Sequence, residues 1–93
     1  MRSIKAFYEI DPTQRDEILK KLDEVFGLAP SYIEDYISMR GKEESGIETV
    51  RLSLEKDVIK AMVVIFDESL IEQFNSILGT PTKVKGWRRR KHN

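Results

Sequence analysis

The sequence predicts an α+β domain on the ferredoxin-like βαββαβ plan: an antiparallel sheet, two helices on one face, and an insertion after the first helix. Three observations predict it. An alternating apolar pattern opens the chain, two amphipathic stripes share one internal spacing, and an apolar, β-branched run precedes the second stripe.

Ile4, Ala6, Tyr8 and Ile10 alternate with Ser3, Lys5, Phe7 and Glu9, the period of a strand with one face turned to a core. Asp11-Pro12 then opens a helix, since an aspartate oxygen accepts from orphan amides and proline has the φ of the first helical position. Ile18, Leu19, Leu22, Val25 and Phe26 form its apolar stripe, and Gly27 closes it. Leu70, Ile71, Phe74, Ile77 and Leu78, followed by Gly79, repeat that spacing 52 residues later. Each helix follows a strand-like stretch, so a βα unit occurs twice and a pseudo-twofold arrangement is expected.

Val58 to Phe66 is almost wholly apolar, as a strand in the middle of a sheet is. Before it, Val50, Leu52 and Leu54 alternate with Arg51, Ser53 and Glu55, which predicts a hairpin through Lys56 and Asp57. Thr82 to Trp87 reads as a returning edge strand with Val84 and Trp87 as its packing residues. Right-handed crossovers place the first strand and Val58 to Phe66 at the centre. The insertion, Leu28 to Ser45, reads as a short third helix from a Ser31/Glu34 capping box, or as an extra strand through Tyr36 to Arg40.

Ninety-three residues suffice for one core, so residues 1–87 are expected to form a single domain and residues 88–93 a basic tail. Sixteen basic residues balance sixteen acidic ones, but six of the bases and none of the acids fall in the last eleven residues. Removing those six leaves ten bases against sixteen acids in residues 1–82, a net −6. The longest unbroken apolar run, Ala61 to Phe66, is six residues, far below the ~20 of a membrane-spanning helix. With no secretory signal and no cysteine, a cytoplasmic location is expected.

Catalytic chemistry has little support. Without cysteine there is no thiolate zinc site, iron–sulfur cluster or cysteine nucleophile, and the single histidine, His92, stands one residue from the end. The glycines match neither Walker nor dinucleotide spacing, and Glu43 and Glu44 lack the spacing of a calcium loop, so no cofactor or metal is expected. Lys60 reads as an amine whose stem covers apolar surface rather than as a Schiff-base lysine, and Tyr8, Tyr32 and Tyr36 as packing residues.

Surfaces carry the functional expectation. Two helices cover one face of a sheet. Val58 to Phe66 is apolar on both sides, so either facing leaves apolar surface uncovered; if Ile59, Ala61, Val63 and Ile65 turn toward the helices, Phe7, Met62, Val64 and Phe66 lie on the open face as an apolar patch of the kind that marks an interface. The leading expectation is therefore a non-catalytic binding or regulatory module, homodimeric through that face, with a protein or small molecule as other possible occupants. An internal cover from the insertion or the tail is the competing explanation. A nucleic-acid-associated protein is the alternative: Lys83, Lys85, Arg88, Arg89, Arg90 and Lys91 would neutralise phosphates while Trp87 stacks on a base. RNA binding through the sheet itself is not expected, because Lys60 to Phe66 lacks the glycine and paired aromatics of the RNA-recognition signature.

Overall fold

A computed structural model describes residues 3–86, apart from the side chain of Glu43. Six strands, β1 (Ile4–Ile10), β2 (Ser31–Ile33), β3 (Tyr36–Arg40), β4 (Ile47–Leu54), β5 (Ile59–Ile65) and β6 (Lys83–Lys85), form one sheet in the order β2-β3-β4-β5-β1-β6. Every neighbouring pair is antiparallel. Helices α1 (Arg15–Phe26) and α2 (Leu70–Leu78) pack on one side of it. The class is α+β, but the strand count departs from a plain βαββαβ order, because the insertion contributes a hairpin, β2–β3, that widens the sheet beyond β4.

That hairpin corrects the expected third helix. Ser31 caps nothing; it pairs with Ser38, and Tyr32 pairs with Ile37. Ile37 and Met39 are buried while Tyr36, Ser38 and Arg40 face outward. Tyr32, Ile33, Tyr36, Ile37 and Met39 fit either period locally. The deciding interaction is distant: β3 completes the ladder of β4, with Ile37 opposite Leu52 and Met39 opposite Val50. The expected hairpin from β4 to β5 forms, its turn closed by the Glu55 amide donating to the Val58 carbonyl at 3.1 Å. A bulge between Ile47 and Thr49 leaves Glu48 without a register partner.

Helix entry follows the local chemistry. The Asp11 carboxylate accepts from the Thr13 amide and hydroxyl, both at 2.9 Å, and a 3-10 turn over Pro12–Gln14 leads into α1. Asp67 repeats the device with Ser69 at 3.0 and 2.7 Å. These bonds hold both carboxyls below the usual range, mainly through the Thr13 amide at Asp11 and the Ser69 hydroxyl at Asp67. Gly27 ends α1 in the left-handed region at φ 68°, its amide donating to the Asp23 carbonyl at 2.8 Å. Gly41 is required for a different reason: a Cβ there would meet the carbonyl oxygen of Ile47 and lie 2.7 Å from the Ile47 Cβ.

The core lies between the helices and the sheet. Ile4, Ala6, Tyr8 and Ile10 of β1 and Ile59, Ala61, Val63 and Ile65 of β5 meet Ile18, Leu19 and Leu22 of α1 and Ile71, Phe74 and Leu78 of α2. Phe26 and Phe74 stack with centroids 4.4 Å apart, locking the two helices together. Val25 departs from its expected place in the stripe and is 56% exposed, because only one edge of α1 faces the sheet.

Tyr8 ties β1 to α2 by donating its hydroxyl to Asn75 Oδ1 at 2.8 Å, and burial pushes its phenol up from 10.0 to about 12. The folded state therefore favours the neutral ring. Its contribution is complete below pH 10 and is lost as the pH rises toward 12. Tyr8→Phe is expected to cost about 0.5–1.5 kcal/mol at neutral pH. Urea titrations on either side of pH 10 should show the gap between wild type and variant shrinking at the higher pH; a gap that widens there would contradict the assignment.

Candidate functional site

The face of the sheet opposite the helices is not covered by any described residue. Strand alternation and register determine what it presents. One row across the sheet is Arg51, Met62, Phe7 and Lys83, from β4, β5, β1 and β6. The next is Arg40, Thr49, Val64, Lys5 and Lys85, running from β3 to β6. A third is Tyr36, Ser53, Lys60 and Glu9. Phe66, just past β5, continues the outward alternation and is 40% exposed.

Phe7, Met62, Val64 and Phe66 thus share the face away from the helices, one of the two facings the sequence left open. Its character differs from the expectation. Val64, between its register partners Lys5 and Thr49, is only 6% exposed, so it supports the patch without offering contact area. Phe7 and Met62 are half-buried. What remains is a narrow apolar strip between two cationic flanks: Lys5, Lys83 and Lys85 on the β1–β6 side, and Arg40 and Arg51 on the β3–β4 side.

Charge is the dominant feature. The three rows hold six cations, Lys5, Arg40, Arg51, Lys60, Lys83 and Lys85, all exposed, and one acid, Glu9. Glu9 lies 3.7 Å from Lys60, whereas the other five make no ion pair among the described residues. Arg51 instead lies over the Tyr36 ring, 4.5 Å from its centroid, which orients the guanidinium. The helical side has the opposite sign. Residues 15–26 carry four acids and three bases, and residues 66–79 carry Asp67, Glu68 and Glu72 with no base.

Two shallow depressions mark the open face. One, of about 310 Å³, is lined by Phe7, Glu9, Lys60, Thr82, Lys83 and Lys85 together with parts of Tyr8 and Ala61. The other, of about 230 Å³, lies at the upper margin among Arg40, Gly41, Lys42, Ile47, Glu48 and Phe66. Each couples a phenyl ring to cations. Among the described residues no group of three or more His, Cys, Asp or Glu side chains could hold a metal ion, and no helix is long and apolar enough to cross a membrane.

Of the predicted phosphate contacts, Lys83 and Lys85 stand on β6 beside Phe7 and Lys5. Trp87, Arg88, Arg89, Arg90 and Lys91 lie outside the described residues. The sequence reading missed Lys5, Arg40 and Arg51 as members of the same cluster. The signal was present, because each occupies the outward phase of its strand. The chain matches no family model, no curated protein and no solved structure.

Proposed function

We propose that this chain is a non-catalytic binding module that takes an anionic polymer, a nucleic acid, on the open face of its sheet. The framework we infer for it is a split-βαβ core, β4-β5-β1-β6, broadened by the β2–β3 hairpin. The observation that carries the reading is the convergence, in three adjacent rows, of six cations and one acid around the strip of Phe7, Met62 and Val64, which nothing in the described chain covers. Cations arranged in this way release condensed counterions from a phosphate backbone, and the acidic helical side turns the sheet toward the polymer on approach. A cytoplasmic location is part of the proposal.

A second copy on the same face is the reading favoured by the strip of Phe7, Met62, Val64 and Phe66 alone. Related by a twofold axis, however, the two sheets would bring Lys5, Arg40, Arg51, Lys83 and Lys85 against the same five cations, a like-charge juxtaposition that weakens the pairing. The charge pattern therefore favours the polymer.

Anisotropy titration with a labelled oligonucleotide, repeated at two salt concentrations, tests the proposal. Five phosphates neutralised by the five unpaired cations give a slope of log affinity on log salt of about −3.5 to −4.5. Affinity should then fall roughly one hundred- to five-hundredfold between about 50 and 200 mM salt. Salt-insensitive binding would contradict the mechanism. Absence of oligonucleotide binding, with light scattering giving twice the chain mass, would replace the polymer with a second copy.

A further inference from the structure

We propose that the open face selects single-stranded nucleic acid, with unpaired bases lying on Phe7 and Phe66 and the backbone phosphates held by the flanking cations. This rests on the reading above and specifies the form of the polymer. Three observations carry it.

The two depressions each join one phenyl ring to an excess of cations over a single acid: Phe7 with Lys60, Lys83, Lys85 and Glu9, and Phe66 with Arg40, Lys42 and Glu48. A phosphate alone needs only the cations. A π-face held beside them suits a base, and base–aromatic stacking tolerates any sequence. Second, the surface is a broad sheet face rather than a protruding element. Reading a duplex through its major groove takes an inserted helix or two-stranded ribbon, and among the described residues nothing on this face projects in that way. Duplex phosphates would reach the cations and leave the strip of Phe7, Met62 and Phe66 facing water or sugar edges. Third, the Arg51 guanidinium already lies over Tyr36, which leaves Phe7 and Phe66 as the two open rings of this face among the described residues. From the strand rise and strand spacing, these lie roughly 14 Å apart, so they would contact two separated nucleotides of one extended strand.

The arrangement differs from the aromatic pattern of RNA-recognition domains, since Lys60, Met62 and Val64 hold the outward positions of β5. The second ring lies past the strand end, beside the loop that begins at Gly41.

The experiment compares three labelled probes on the full chain: a short mixed-sequence RNA, the same RNA annealed to its complement, and inorganic polyphosphate, a phosphate chain without bases. The single strand should bind at least roughly tenfold more tightly than the duplex. Phe7→Ala and Phe66→Ala should each weaken the single strand by roughly tenfold while leaving polyphosphate affinity unchanged. Neither ring belongs to the core cluster, and a thermal melt of each variant checks the fold. The single-strand and duplex comparison needs no variant. Duplex affinity equal to or above that of the single strand, or variants that weaken RNA and polyphosphate alike, would overturn the stacking role and leave the charge-based reading standing. Failure of all three probes to bind would overturn both.

Discussion

Replacing Phe74 by alanine is expected to remove about 3–5 kcal/mol of stability, the largest loss from a single site in this fold. The side chain is 0% exposed, its ring stacks on Phe26 at 4.4 Å, and it lies where α2 meets both α1 and the sheet. Truncation loses the transfer free energy of the ring and leaves a cavity that two helices and a sheet cannot all close. A domain of this size holds roughly 5–15 kcal/mol in total, so the loss removes a large part of it. At a urea m-value of about 1.5 kcal/mol/M the midpoint should fall by about 2–3 M. A midpoint shift below about 0.5 M would mean that α2 does not pack as described.

Reversing three charges on the open face, Lys5→Glu, Arg51→Glu and Lys83→Glu together, should lower oligonucleotide affinity by at least roughly a hundredfold and flatten the salt slope by about 2 or more. All three side chains are exposed and none belongs to the core cluster, so far-UV circular dichroism and thermal midpoint should change little. They come from β1, β4 and β6, and lie in the two adjacent rows that contain Phe7, Met62 and Val64. Lys20→Glu with Lys21→Glu provides the control, because these residues lie on α1, where Lys21 is 3.6 Å from Glu17. If the helix control weakens binding as much as the sheet triple, net charge rather than the face is responsible.

Much of the scaffold was legible in the sequence. The alternation of Ile4, Ala6, Tyr8 and Ile10 defines which side of β1 is buried, and the two helical stripes identify α1 and α2 with Gly27 and Gly79 at their ends. The facing of β5 was open in the sequence, because the run is apolar on both sides; the structure turns Ile59, Ala61, Val63 and Ile65 into the core and Lys60, Met62 and Phe66 away from it. The hairpin β2–β3 was not legible, because five apolar residues among eight fit both periods and only pairing with the distant β4 decides between them.

The candidate site was half legible for a related reason. Its apolar residues come mostly from one continuous run, whereas Lys5, Arg40, Arg51, Lys60, Lys83 and Lys85 are scattered over five strands. Arg40, Arg51 and Lys60 have acidic sequence neighbours, Glu44, Glu48, Glu55 and Asp57, that fall in turns or at the bulge rather than in the three rows. Counting charge along residues 1–82 gives −6 and hides a basic surface. Sorting the same residues by strand phase reveals it.

The outermost strand, β2, lies beyond the reach of both helices. All three of its residues are exposed, Tyr32 to 67%, and among the described residues a ladder to β3 on one side is its only pairing. Such a lip has wet surfaces above and below and a bare rim of amides and carbonyls. Thermal agitation would peel it away well before the central ribbon gives, so the molecule should breathe from one margin, opposite the margin formed by β6.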